Sequence, residues 1–162
     1  MSVQPIIQAL EKLIKLHENL MDTAVEKTGL IKQGSLDKLQ SLLVKEHKFV
    51  QVLEQAELKR QQAVEEWLLE QGRALREPTI TAILEMLSNE REQKELEKTA
   101  VKLADIVTRL KQQEQLNQAL LHQSMQYVEL SMDAIKPSLK HMNYGNQQTS
   151  FSPERSVFDS KA

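Results

Sequence analysis

Cysteine is absent from this 162-residue chain, which excludes disulfides, thiolate nucleophiles and any metal set that needs a thiolate. Aromatic residues make up only 4% of the sequence, so a core must rest on Leu, Ile, Val, Ala and Met, a composition that suits helices better than sheets. No apolar run exceeds three residues, which removes a transmembrane helix. The N-terminus, Met1-Ser2-Val3-Gln4-Pro5-Ile6-Ile7, has neither the basic region nor the unbroken apolar stretch of a secretory signal. A net charge of −2 offers no basic field for nucleic acid and no polybasic patch for a membrane surface. These absences fit a single cytoplasmic domain, and a chain of this length can bury a core of its own.

Glycine and proline are scarce too, with four of each, and their positions mark out the elements. Pro5 suits the first turn of a helix. From there Ile6, Leu10, Leu13, His17, Leu20, Ala24 and Ile31 follow at helical spacing, supported by Ile7, Ile14 and Met21, to an end near Gly34. Ser35 is placed to cap a second helix, with Asp37 favouring its dipole. Leu36, Leu39, Leu43, Phe49, Leu53, Ala56, Ala63 and Trp67 carry this helix to about Gly72, Trp67 as a core residue. After a connector, Pro78 or Thr79 opens a short helix with Ile80, Ile83, Leu84 and Leu87. Asn89 followed by Glu92 has capping-box spacing. A long helix then carries Leu96, Ala100, Leu103, Val107, Leu110, Asn117, Leu120, Ser124, Tyr127 and Ala134 to a stop at Lys136-Pro137. At 1.5 Å per residue it would span roughly 70 Å, too long to be stable without a partner surface.

Three long stripes and short connectors predict an all-α fold: an elongated antiparallel bundle of coiled-coil type with three long helices and one short one. Residues 1–142 form the helical domain. Residues 143–162, rich in Ser, Gln, Asn, Thr and Pro, read as a flexible, disordered tail. His17, Glu46, Arg60, Gln113 and Asn117 fall near the stripes. They are either frayed or partner-facing positions, or buried polar groups that fix register; the uncharged cluster in the last helix favours a partner-facing region there.

Constellations for chemistry are missing. None of His17, His47, His122 and His141 has a Glu three residues before it, and no His-Glu-x-x-His occurs, so neither a di-iron nor a zinc pattern is present. Scattered glycines build no phosphate loop. Ser124 and Ser131 lack a nucleophile elbow. Glu90, Lys94, Glu95, Glu97 and Lys98 alternate as solvated helix-surface charges do. The expectation is a non-enzyme with no cofactor and no metal.

One feature resists a purely structural reading. Charged residues crowd the stretch from Glu85 to Lys111, whereas from Gln112 to Met132 only Glu114 and Glu129 are charged and six residues are Gln. A helix facing only water keeps charge on its outer side. Met125 and Met132, seven residues apart, either fill core gaps or face a partner that needs an adaptable surface. Leu120 and Leu121 cannot both face one narrow seam, which leaves Leu121 for a partner or a broader core. Tyr144, after the helix stop, is either a turn plug or a docking handle.

Asn117-Gln118-Ala119-Leu120-Leu121, then Ser124, Tyr127, Ala134-Ile135-Lys136-Pro137, and finally Tyr144-Gly145 with Gln148-Thr149-Ser150, resemble the FlgN family of flagellar type III export chaperones. That family carries an Asn-x-x-Leu-Leu motif on a long C-terminal helix, a Lys-Pro at its end and a Tyr-Gly-x-x-Gly-Gln-Thr-Ser-like tail; counted back from Gln148-Thr149-Ser150, Gln147 stands here where the second Gly would be, one residue nearer Gly145 than in that pattern. The resemblance implies a cytoplasmic chaperone of hook-filament junction (hook-associated) proteins. It would bind their aggregation-prone terminal helices and deliver them to the flagellar export gate. It places client binding at Leu116, Asn117, Leu120, Leu121, Ser124, Met125, Tyr127, Val128, Met132 and Ile135, and gate docking at Tyr144 and Gly145. The alternatives are a self-associating coiled-coil scaffold, with a second copy of the chain covering the charge-poor face as a homodimer, or a regulator that sequesters a signalling protein.

Overall fold

The computed structural model describes residues 2–74, 76 and 78–145, with side chains as far as Lys136. The described chain is all α: α1 (Gln4–Gln33), α2 (Leu36–Glu70), α3 (Ile80–Met86) and α4 (Glu90–Gly145). Three long helices and one short one match the architecture expected from the stripes. The chain divides into two units, residues 1–121 and 122–162.

In the first unit the helices end where backbone chemistry dictates. Pro5 lies in the opening turn of α1, and Gly34 terminates that helix at φ +70. The Gly34 and Ser35 N–H groups donate back to the carbonyls of Ile31 and Leu30, each at 3.2 Å. This is a Schellman ending, which requires a left-handed residue and so favours glycine. Gly72 closes α2 in the same manner at φ +68, with the Gly72 and Arg73 N–H groups on Leu69 and Leu68 at 3.0 and 3.1 Å. The Thr79 hydroxyl accepts from the Ala82 N–H at 3.2 Å to open α3. The Asn89 side chain accepts from the Arg91 N–H at 2.9 Å and opens α4. Ser35 precedes α2, but its hydroxyl makes no capping bond there.

A two-residue turn forces α1 and α2 to run antiparallel. α4 runs parallel to α1 within the unit, because Gln4 bonds Glu95 (3.1 Å) while Lys27 bonds Glu114 (3.1 Å). The apolar core lies where the start of α1, the end of α2, α3 and the start of α4 meet. Ile6, Ile7, Ile83 and Leu96 are almost completely buried, with Val64 and Trp67 beside them. Each such side chain contributes about 2 kcal/mol by leaving water.

Two stripe assignments shift by one residue. Leu42 is buried whereas Leu36 and Leu43 are exposed, and Ile106 is buried whereas Val107 is 41% exposed. Adjacent apolar residues leave the helical phase open over a single turn. In α2 the seam that decides it, Leu39, Leu42, Glu46, Phe49, Leu53, Ala56, Arg60, Ala63 and Trp67, includes two charged positions that an apolar reading passes over.

The other end of this unit is polar. Lys27, on α1, is 6% exposed; its Nζ lies 2.5 Å from Glu46 Oε2 on α2 and 3.1 Å from Glu114 Oε2 on α4. Burial pulls the Lys27 pKa down, but the hydrogen bonds that its ammonium donates to the two carboxylates outweigh it, and the net shift is upward. One residue further on, the Thr28 hydroxyl donates to the Asn117 carboxamide oxygen and accepts from Gln113 Nε2 at 2.6 Å. Asn117 Nδ2 donates to the Ala24 carbonyl at 2.9 Å. Asn117 is 1% exposed. Of the two explanations for polar residues near the stripe, burial against α1 holds for Asn117.

α4 continues helically through Pro137 to Gly145, so the expected stop at Lys136-Pro137 does not occur. An interior proline removes one helical hydrogen bond and crowds the carbonyl four residues earlier, a penalty of about 3 kcal/mol. It bends or weakens a helix without necessarily ending it, and Leu139, Lys140 and Met142 beyond it are good helix formers. Asn143, Tyr144 and Gly145 are therefore helical in backbone, not part of a loop. The expected disordered tail lies, from residue 146 onward, outside the described residues.

Candidate partner-binding surface

Within the first unit, α4 presents Leu116 outward at 46% exposure and keeps Leu120 half-buried. Leu121, the last residue of this unit, is 38% exposed. Leu120 therefore takes the seam and Leu121 is the residue left over, the choice that their adjacency forces on a helix.

In the second unit every described side chain except the half-buried Ser131 is exposed. Met125, Val128, Met132 and Ile135 are separated by three, four and three residues, which places them on one helical face. They are between 53 and 63% exposed. Of the two roles open to the methionines, packing into a core gap does not describe this exposure. Tyr127 and Leu130 are 72 and 70% exposed on other faces of the same helix.

One flank of the stripe is short and uncharged, whereas Glu129, Asp133 and Lys136 lie along the other. Ser124 and Ser131 directly precede Met125 and Met132, so a partner helix can approach closely on that flank. The Ser131 hydroxyl donates to its own helix at the Tyr127 carbonyl (2.9 Å), and Gln126 lies 3.2 Å from His122. Lys136 and Asp133 form an exposed pair at 3.5 Å, worth well under about 1 kcal/mol. The four stripe side chains supply apolar contact area. Among the described residues no three His, Cys, Asp or Glu side chains converge as metal ligands would, and no helix is long and apolar enough to cross a membrane. The side chains of Tyr144 and of the residues around it lie outside the described ones.

Sequence reasoning missed a second apolar surface. In the first unit Leu13, His17, Leu53, Leu58, Leu103 and Val107 line an open groove of about 580 Å³. Glu54, Glu57 and Arg60 line it too, the last two joined at 2.6 Å. The hydrogen bond from Arg60 holds the Glu57 carboxyl below its ordinary pKa, and the same bond raises that of Arg60. The signal was present in the sequence as apolar residues adjoining the seam, but exposure alone separates a groove wall from a core residue.

Comparison with known proteins supplies what the geometry cannot. The family described as FlgN protein matches residues 1–150. The uncharacterized protein YvyG of Bacillus subtilis (strain 168) is 32% identical over 165 residues, a match that covers 100% of each chain. No solved structure matches. With the family matched along nearly the whole chain, over the bundle as well as the charge-poor stretch of α4, the chain belongs to the FlgN family of flagellar export chaperones.

Proposed function

We propose that the exposed face of Met125, Val128, Met132 and Ile135, with Leu121 before it, receives an amphipathic helical segment of a hook-filament junction (hook-associated) protein in the cytoplasm. A helix laid into an apolar stripe is read through anchors three and four residues apart, and the methionines can repack around different clients. Leu116, Leu120, Ser124 and Tyr127 are further client contacts in this reading; Asn117 serves by holding α4 in place. No bond is made or broken. The chaperone hides apolar surface that would otherwise aggregate and keeps the client unfolded until export. Tyr144 and Gly145 then dock the complex at the export gate.

The observation that carries this reading is the solvent exposure of a regular apolar stripe in a stretch nearly free of charge. The variant Leu121→Asp with Met125→Asp should lose co-purification of a hook-filament junction protein while its circular dichroism melt is unchanged. A collapsed melt would make these residues part of the fold. Sedimentation of the free chain decides the alternative occupant: a stable dimer that persists with client present assigns the stripe to a second copy. Tyr144→Ala should retain the client and weaken binding to the gate.

A further inference from the structure

We infer that Asn117 and Thr28, with Lys27 and its two carboxylates, act as a register key that holds α4 at one axial position against α1. The apolar part of the α4 seam nearly repeats itself: Leu96, Leu103 and Leu110 recur every seven residues, and Ile106 follows Thr99 at the same interval. Sliding α4 by seven residues, about 10 Å of travel, would lay leucine where leucine was. The seam on α1 offers little to oppose this, because Leu13 and Leu20 are also seven residues apart. Continuing the repeat would put a fourth leucine at position 117. An asparagine stands there instead, 1% exposed.

The polar groups distinguish the two positions. In the observed register the Thr28 hydroxyl meets the Asn117 carboxamide, Asn117 Nδ2 reaches the Ala24 carbonyl, and Lys27 meets Glu114. With α4 displaced so that Leu110 occupied the place of Asn117, Val107 would replace Glu114 beside Lys27 and Ile106 would replace Gln113 beside Thr28. A buried cation would lose one of its two carboxylates, and the Thr28 hydroxyl would lose both side-chain partners on α4, keeping only the Ala24 carbonyl of its own helix. Unsatisfied buried polar groups are far more unfavourable than the satisfied ones are stabilising. A single buried asparagine sets register in coiled coils by this asymmetry.

The cysteine-free sequence makes the test direct. Engineered cysteine pairs, joined by a short bifunctional thiol reagent, report the register: Q4C/E95C reads the observed one, while Q4C/S88C and Q4C/K102C read displacements of seven residues either way. With the polar layer intact, only Q4C/E95C should join. In a background carrying Thr28→Val and Asn117→Leu, the displaced pairs should rise from background to a share comparable with Q4C/E95C, while the melting temperature holds or increases. Exclusive joining of Q4C/E95C in that background would assign the register to the anchoring of Ile83 and Leu87 and overturn the proposal. Displaced pairs in the native layer would overturn it as well. Should the double variant lose its cooperative melt, Asn117→Leu alone is read by the same pairs; loss of the melt there too would make the layer a stabilising element and not a key.

Discussion

α4 uses one spacing for two purposes. Across the first unit, residues three and four apart from Leu96 to Leu120 turn toward the chain's own helices, and Leu96 is completely buried. In the second unit Met125, Val128, Met132 and Ile135 keep that spacing yet remain more than half exposed. Helical periodicity therefore reports that a face is apolar, not what covers it. The two stretches differ in their surroundings: the first is densely interspersed with Glu, Lys and Arg on its outer face, whereas the second has Ser124 and Ser131 on one flank and only Glu129, Asp133 and Lys136 on the other.

The comparison predicts opposite responses to the same truncation. Leu96→Ala should lower the unfolding free energy by about 2–5 kcal/mol, because it removes packed atoms and leaves a cavity. Met125→Ala should change it by less than about 0.5 kcal/mol, as exposed substitutions do. Denaturant titration followed by circular dichroism measures both. Equal losses would erase the distinction between seam and surface.

Between those extremes lies the polar layer. Lys27→Met removes a buried charge and leaves Glu46 and Glu114 without their cation; the carboxylates retain 22% and 37% side-chain exposure and can turn to water. The expected loss is about 2 kcal/mol, less than for a fully enclosed pair. A loss as large as that of Leu96→Ala would place the carboxylates in a drier setting than their exposure indicates.

The smallest effect concerns pH at the apolar groove. The Glu57 pKa lies below its ordinary value, 4.5, chiefly through the Arg60 hydrogen bond. A depressed carboxylate pKa contributes stability that is present above the unfolded-state value and is lost as pH falls through the folded-state value. The native chain should therefore lose stability on acidification below about 4.5 slightly more steeply than Glu57→Gln does. The carboxylate is 42% exposed, so solvent screening keeps the difference small. Identical acid limbs for the two proteins would remove the pair from the account.

Helix number, order and most termini are legible in the sequence because few residues can supply them: Gly34 and Gly72 for left-handed endings, Thr79 and Asn89 for caps. Helical phase is less legible wherever apolar residues adjoin, as at Leu42-Leu43 and Ile106-Val107. The buried polar layer was hardest to read, since Lys27 and Thr28 resemble surface residues until Glu46, Glu114 and Asn117 arrive from distant parts of the chain. Pro137 misleads for a different reason: its penalty is local, and the residues on either side favour helix enough to continue past it. The exposed stripe was half legible. Its loss of charge was visible in the composition, whereas the choice between core and surface needed the fold.

Thiol labelling tests the central claim most directly, since the native chain has no background cysteine. Val128→Cys places a reporter on the stripe, and Val101→Cys, at a residue 63% exposed in the first unit, serves as the control. Addition of a hook-filament junction protein should slow labelling of the first at least tenfold and leave the second unchanged. Unchanged labelling at position 128, under conditions where the client is bound, would contradict a client-binding role for this face.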